Sequence, residues 1–178
     1  MAKRTTFEVS IRLYQRPSTG ESWIIRDKDW FEDQKKRIEE NAENLITQEN
    51  IRIPKSDEDK EVRRQELLTL PLKLLAEQQA RHEALRDTVE PTAFRLSKPT
   101  HGQNLKAKEA AKVTHPLSGE TRYDIEKWQE ALISEPGAVI DEDGESVKIN
   151  DLDPVVVPEL SYYLWRSVTP DESRLPNS

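Results

Sequence analysis

At 178 residues the chain is long enough for one domain, or for one small domain with an extension. Hydrophobic residues make up 34% and charged residues another 34%, against the roughly 45–50% apolar content, glycine included, of a compact domain, which excludes a single large core. The absence of cysteine excludes disulfides, thiolate catalysis and cysteine-ligated zinc or iron–sulfur sites.

Four Trp, four Tyr and three Phe, placed near both ends and around Trp128, predict local clusters in place of wholesale disorder. The net charge of −7 hides an asymmetry. Residues 95–116 carry five bases (Arg95, Lys98, Lys106, Lys108, Lys112) against one acid, Glu109, whereas residues 135–178 carry ten acids against three bases (Lys148, Arg166, Arg174). These stretches are expected to attract one another within the fold or across subunits. A nucleic-acid-facing surface is the lesser expectation, because no aromatic residues interleave with the basic stretch. No run approaches the ~20 apolar residues of a membrane span, and Met1-Ala2-Lys3-Arg4 leads into alternating residues, not into an apolar leader. The chain is expected to be soluble, unexported and without a membrane partner.

In chain order, Phe7, Val9, Ile11 and Leu13 alternate with Glu8, Ser10 and Arg12, the period of a strand with one buried face. Turn residues from Arg16 to Glu21 and a returning Ser22-Trp23-Ile24-Ile25-Arg26 predict a β-hairpin over residues 1–28. A lone hairpin is marginal in water, so it must lie against a helix or a partner's sheet, and its apolar edge strand offers Phe7, Val9, Ile11 and Leu13 as partner contacts.

Residues 29–92 predict a charged helical hairpin or arm. Asp29 is the expected cap of the first helix, whose thin stripe is Phe31, Ile38, Ala42, Leu45 and Ile46, and which should stop before Ile51-Arg52-Ile53-Pro54. Ser56 followed by Asp57, Glu58 and Asp59 predicts a second helix to about Thr88, kinked or restarted at Pro71. Its leucine cluster (Leu67, Leu68, Leu70, Leu72, Leu74, Leu75) is apolar nearly all round and is expected to be covered on more than one side, with Leu68, Leu72 and Leu75 as partner contacts.

Residues 93–168 predict a small α+β module: a short strand Ala93–Leu96, a helix from Asn104 to Val113, and a helix opened by Thr121 and Asp124 with Ile125, Trp128 and Leu132 on one face. Val139-Ile140 and Val147/Ile149 predict two short strands around an Asp-Gly turn. A last helix, started near Asp151 or at Pro158, has Val157, Leu160, Leu164 and Val168 as one face. Tyr163 is expected in the core, and Tyr162 and Trp165 are candidate partner contacts. Residues 169–178 read as a polar tail. The fold class is α+β, mainly helical.

No catalytic, cofactor-binding or metal site is read. Asp141-Glu142-Asp143-Gly144-Glu145 lacks the late glutamate of a calcium loop, since Asn150 stands there, and reads as an exposed turn. His82, His101 and His115 share no ligand spacing, and no glycine-rich phosphate loop is present. Paired catalytic carboxylates would need an apolar pocket that a core-poor chain does not promise.

Phe94-Arg95-Leu96-Ser97-Lys98-Pro99-Thr100, with Leu105 and Ala110-Ala111 following and Asp151-Leu152-Asp153 leading into an apolar terminal helix, resembles the tail-assembly chaperones of contractile-tailed bacteriophages and related baseplate-assembly proteins. The resemblance spans residues 94–168. It departs from the family pattern at Gln103 and Asn104, where an acidic residue is common, and leaves residues 1–92 unexplained. It implies a non-enzymatic protein without cofactors that binds other tail or baseplate subunits, as a transient chaperone in the host cytoplasm or as a permanent part of the virion tail, with self-assembly as a further option. The alternative is a nucleic-acid-associated regulator using residues 95–116.

Overall fold

A computed structural model describes residues 5–116 and 118–169. The N-terminal Met1–Arg4 and the polar tail beyond Thr169 lie outside the described residues. The fold is α+β and mainly helical, and the chain divides into two compact units: the residues up to Ile24 together with those from Pro91 onward, and Ile25–Glu90 between them.

The first unit is built on a three-stranded antiparallel sheet in the order β1 (Thr6–Ile11), β4 (Thr92–Ser97), β7 (Val139–Ile140). Strand β1 alternates as expected, with Val9 and Ile11 buried and Thr6, Glu8 and Ser10 exposed. Its partner is not the returning strand, however. It pairs with β4 from Thr6↔Ser97 to Ile11↔Thr92, and only the short β2 (Leu13–Gln15) forms a hairpin with β3 (Ser22–Ile24). The apolar run therefore splits at Arg12, and the expected pairing of the whole first strand with the returning one is corrected: the hairpin narrows to β2–β3, and β1 joins β4. The β2–β3 turn is closed by Arg16 N–H to Glu21 O (2.9 Å), with Gly20 at φ 70°, a conformation that a side chain disfavours.

Three helices cover the sheet's apolar residues: α3 (His101–Ala110), α4 (Ile125–Ile133) and α5 (Val157–Val168). Leu96 of β4, Ala107 and Ala111, Trp128 and Leu132, and Leu160 and Leu164 form one buried cluster with Val9, Ile11 and Val139. Helix α3 starts earlier than Asn104 because Thr100 and Gln103 close a reciprocal capping box, and it stops at Ala110. Lys112–Thr114 (β5) then pairs with Thr121–Tyr123 (β6), a ladder in place of the expected helix end. Helix α4 is capped by Asp124, whose side chain accepts from Lys127 N–H at 3.2 Å; the expected box with Thr121 is corrected, since Thr121 lies in β6. The second strand expected at Val147 and Ile149 is a single bridge, Ile140↔Ser146, followed by a 3-10 turn at Ile149–Asp151. Helix α5 has proline in its first turn.

The second unit is an antiparallel pair of long helices, α1 (Lys28–Arg52) and α2 (Asp57–Arg86). Asp27, not Asp29, caps α1 by accepting from Trp30 N–H at 2.9 Å, and Asp29 occupies the first turn, where its charge meets the helix dipole. The helix runs to Arg52, past the expected stop before Ile51. Ser56 caps α2 as expected (Asp59 N–H, 3.1 Å). Helix α2 passes through Pro71 without ending, so the expected restart there is corrected.

Candidate functional site

The described residues present three kinds of outward surface, each set by local sequence. The first is main chain. Lys98 N–H donates to Thr5 O at 2.8 Å, and with the β1–β4 register this directs the backbone groups of Phe7, Val9 and Ile11 toward β4. Those of Thr6, Glu8 and Ser10 face the other way, and among the described residues β4 is the one strand paired with β1. The side chains named from the sequence face inward instead. Val9 and Ile11 are buried, and Phe7 and Leu13 are half-buried against the same core. As side-chain contacts for a partner they are corrected, because the alternation that singled them out is the one that buries them.

The second surface is on the helical hairpin. Leu68, Leu72 and Leu75 are half-buried and share a face with His82, which meets Phe31 of α1 at 5.2 Å between ring centres. They are the seam of the hairpin. Among the described residues of α2 none is fully buried, and α1 hides one stripe of it. Leu70 and Leu74, two other members of the cluster, are exposed. Their signal was available, since Leu67, Leu70 and Leu74 recur at helical spacing beside the Leu68/Leu72/Leu75 face.

Charge surrounds this seam. Glu49 accepts from Lys55 (2.7 Å) and Arg63 (3.1 Å), and Arg63 also reaches Glu66 (3.0 Å). Arg64 bridges Glu43 and Glu61. The hydrogen bonds from Lys55 and then Arg63 hold the Glu49 carboxyl below its ordinary range, and the bond from Arg64 does the same to Glu43. His82 Nδ1 accepts the Arg26 backbone N–H at 2.9 Å. Burial, and secondarily the Arg26 charge, push its pKa down.

The third surface is on α5. Trp165 is 7% exposed and packs edge-on against Trp128 with ring centres 6.3 Å apart, so as a partner contact it is corrected to a core residue. Its Nε1 is buried with no hydrogen-bond partner among the described residues, whereas Trp128 Nε1 donates to Asn104 at 3.0 Å. Tyr162 is 44% exposed, and Tyr163, expected in the core, is 38% exposed. The core face of α5 is set by Leu160 and Leu164, four residues apart, and both tyrosines fall off it.

Gln103 and Asn104, the two departures from the phage-chaperone pattern, have defined work: the first closes the α3 capping box and the second receives the Trp128 indole. In the basic stretch Lys106 meets Glu135 (3.3 Å), Lys112 meets Glu109 (3.6 Å) and Arg95 meets Glu8 (3.4 Å). Lys108 lies over the rings of Tyr123 and Trp128 at 4.8 and 5.0 Å.

The acidic segment is a turn: Asp141 Oδ1 accepts from Glu145 N–H at 2.8 Å, and Gly144 has φ 85°. Among the described residues no three His, Asp or Glu gather as a metal site. An open groove of about 350 Å³ is lined by Thr6, Ser97, Pro136, Gly137, Ile140, Gly144 and Ser146, with no titratable side chain. No described helix is long and apolar enough to cross a membrane. No protein family, curated protein or solved structure matches the chain.

Proposed function

We propose that this chain is a non-enzymatic bacteriophage tail or baseplate component, structural or assembly-assisting, that works through protein–protein contacts. The observation that carries the contact role is that apolar surface is left outside both units in ordered secondary structure: Leu70 and Leu74 on α2, and Tyr162 and Tyr163 on α5. The backbone of Thr6, Glu8 and Ser10 on β1, unpaired among the described residues, adds a site for strand addition. The tail assignment rests on the strand–proline–threonine–helix run at Phe94–Ala111. It forms one continuous strand, cap and helix (β4, Thr100, α3) and ends on the buried Ala111.

Quantitative mass spectrometry of purified virions, paired with deletion of the gene, tests this reading. A structural subunit is present in fixed ratio, and a chaperone is absent from virions although its loss stops tail formation. Absence from virions together with normal tails after deletion sinks the proposal. The alternative, a nucleic-acid-associated regulator, has against it that Arg95, Lys106 and Lys112 already face carboxylates. Salt-sensitive nucleic-acid binding, lost when Lys106, Lys108 and Lys112 are replaced, would favour it.

A further inference from the structure

We propose that the helical hairpin self-associates: the flank of α2 carrying Leu67, Leu70 and Leu74 packs antiparallel on the same flank of a second copy, making a four-helix bundle from two hairpins.

The flank is defined by helix geometry. Taking 100° per residue, Leu67, Leu70 and Leu74 centre about 120° around α2 from the face that meets α1. A second contact face, turned away from the first, is what each helix of a four-helix bundle requires. The Glu49–Arg63 bridge shows which side of α1 lies on this flank, since Leu45 is one turn from Glu49 and Leu67 one turn from Arg63. Leu45 thus extends the stripe onto the neighbouring helix. Leu45, Leu70 and Leu74 are 46%, 61% and 49% exposed. The opposite flank of α2 carries Gln65, Thr69 and Ala76, so the apolar character is one-sided.

Charge selects the occupant. When Leu67 is set against the second copy's Leu70, and Leu70 against its Leu67, antiparallel pairing brings Glu66 opposite the second copy's Lys73, twice by symmetry. One layer outward, Lys60 meets the second copy's Glu77. Shifting the pairing by one heptad sets Lys73 against Lys73, which disfavours that register. Arg63, next to the stripe, keeps its guanidinium on Glu49 and Glu66 while its stem can cover the second copy's Leu74. A stripe complementary to itself in one antiparallel register is what a second copy of this chain fits.

The proposal does not need the tail assignment, and a monomeric result would leave the virion test standing. It is tested on the full chain by sedimentation equilibrium over a range of concentrations, with helicity checked by circular dichroism. The wild type is expected to dimerise, and Leu70→Glu to weaken the dimer by roughly tenfold or more with helicity unchanged, since Leu70 is mostly exposed. Lys73→Glu alone should also weaken it, and Glu66→Lys combined with Lys73→Glu should restore it. A wild type that stays monomeric throughout, a Leu70→Glu dimer as tight as wild type, or a double charge variant no tighter than Lys73→Glu alone would each overturn the proposal.

Discussion

His82 uses the neutral form of its imidazole. Only an unprotonated Nδ1 can accept the Arg26 N–H, and the ring lies against Phe31. Its folded pKa therefore lies below the ordinary 6.5, with burial the main cause. For a depressed histidine the unfolded chain binds the proton first, so its contribution is whole above about pH 6.5 and declines as pH falls through that value toward the folded pKa. The helical hairpin should lose stability in that window, and His82→Gln should remove this part of the pH dependence in urea titrations. NMR titration of the ring is expected to give a midpoint below 6.5. A second loss comes at lower pH, where Glu49 and Glu43 must be protonated: their support is present above their ordinary 4.5 and disappears as pH falls through the lowered folded values. The two buried tryptophans make a paired prediction. Trp128→Phe orphans Asn104, whereas Trp165→Phe deletes a donor that has no partner among the described residues. The first should cost about 1 kcal/mol more than the second in chemical denaturation. In the same assay Leu132→Ala, at a fully buried position, should cost about 2–5 kcal/mol.

Helices α2 and α3 show opposite relations between local sequence and element. At α3 the Thr100–Gln103 box agrees with the structure, and Thr100→Ala should lower stability by about 1 kcal/mol. At α2 the helix continues through Pro71, which withholds an N–H from the preceding turn. Pro71→Ala should raise the thermal midpoint of the hairpin, by an amount up to that of about 3 kcal/mol. These elements also explain what was legible in the sequence. The period of Phe7, Val9 and Ile11, the cap at Ser56 and the Leu160/Leu164 face were readable because each is a local pattern with one physical meaning. The partner of β1 was not, since an apolar alternation specifies a face but not which strand lies beside it. The β5–β6 pair was missed for another reason: of its six residues only Val113 is not exposed, so no burial pattern marks it. The leucine cluster was visible, but its composition could not say which leucines the single neighbouring helix would cover.

Across the whole molecule, the helical hairpin is an insertion into the first unit. Ile24 pairs with Leu13, and Ile11, two residues earlier, pairs with Thr92, so the ends of the insertion are under about 20 Å apart, a gap that about eight residues span. Replacing residues 26–89 with such a linker should leave the first unit folded. Near-ultraviolet circular dichroism from Trp128 and Trp165 checks this, and its loss would show that the hairpin is required. The same arrangement orders events on the ribosome. The pairing of β1 with β4 links residues such as Glu8 and Arg95, 87 positions apart, and it cannot form until β4 has been synthesised. The hairpin needs only its own sequence and can close first. Once closed, it brings Ile24 and Thr92 close together and converts a long loop search into a short one, so the latest strand to emerge finds the earliest at a lower entropic cost.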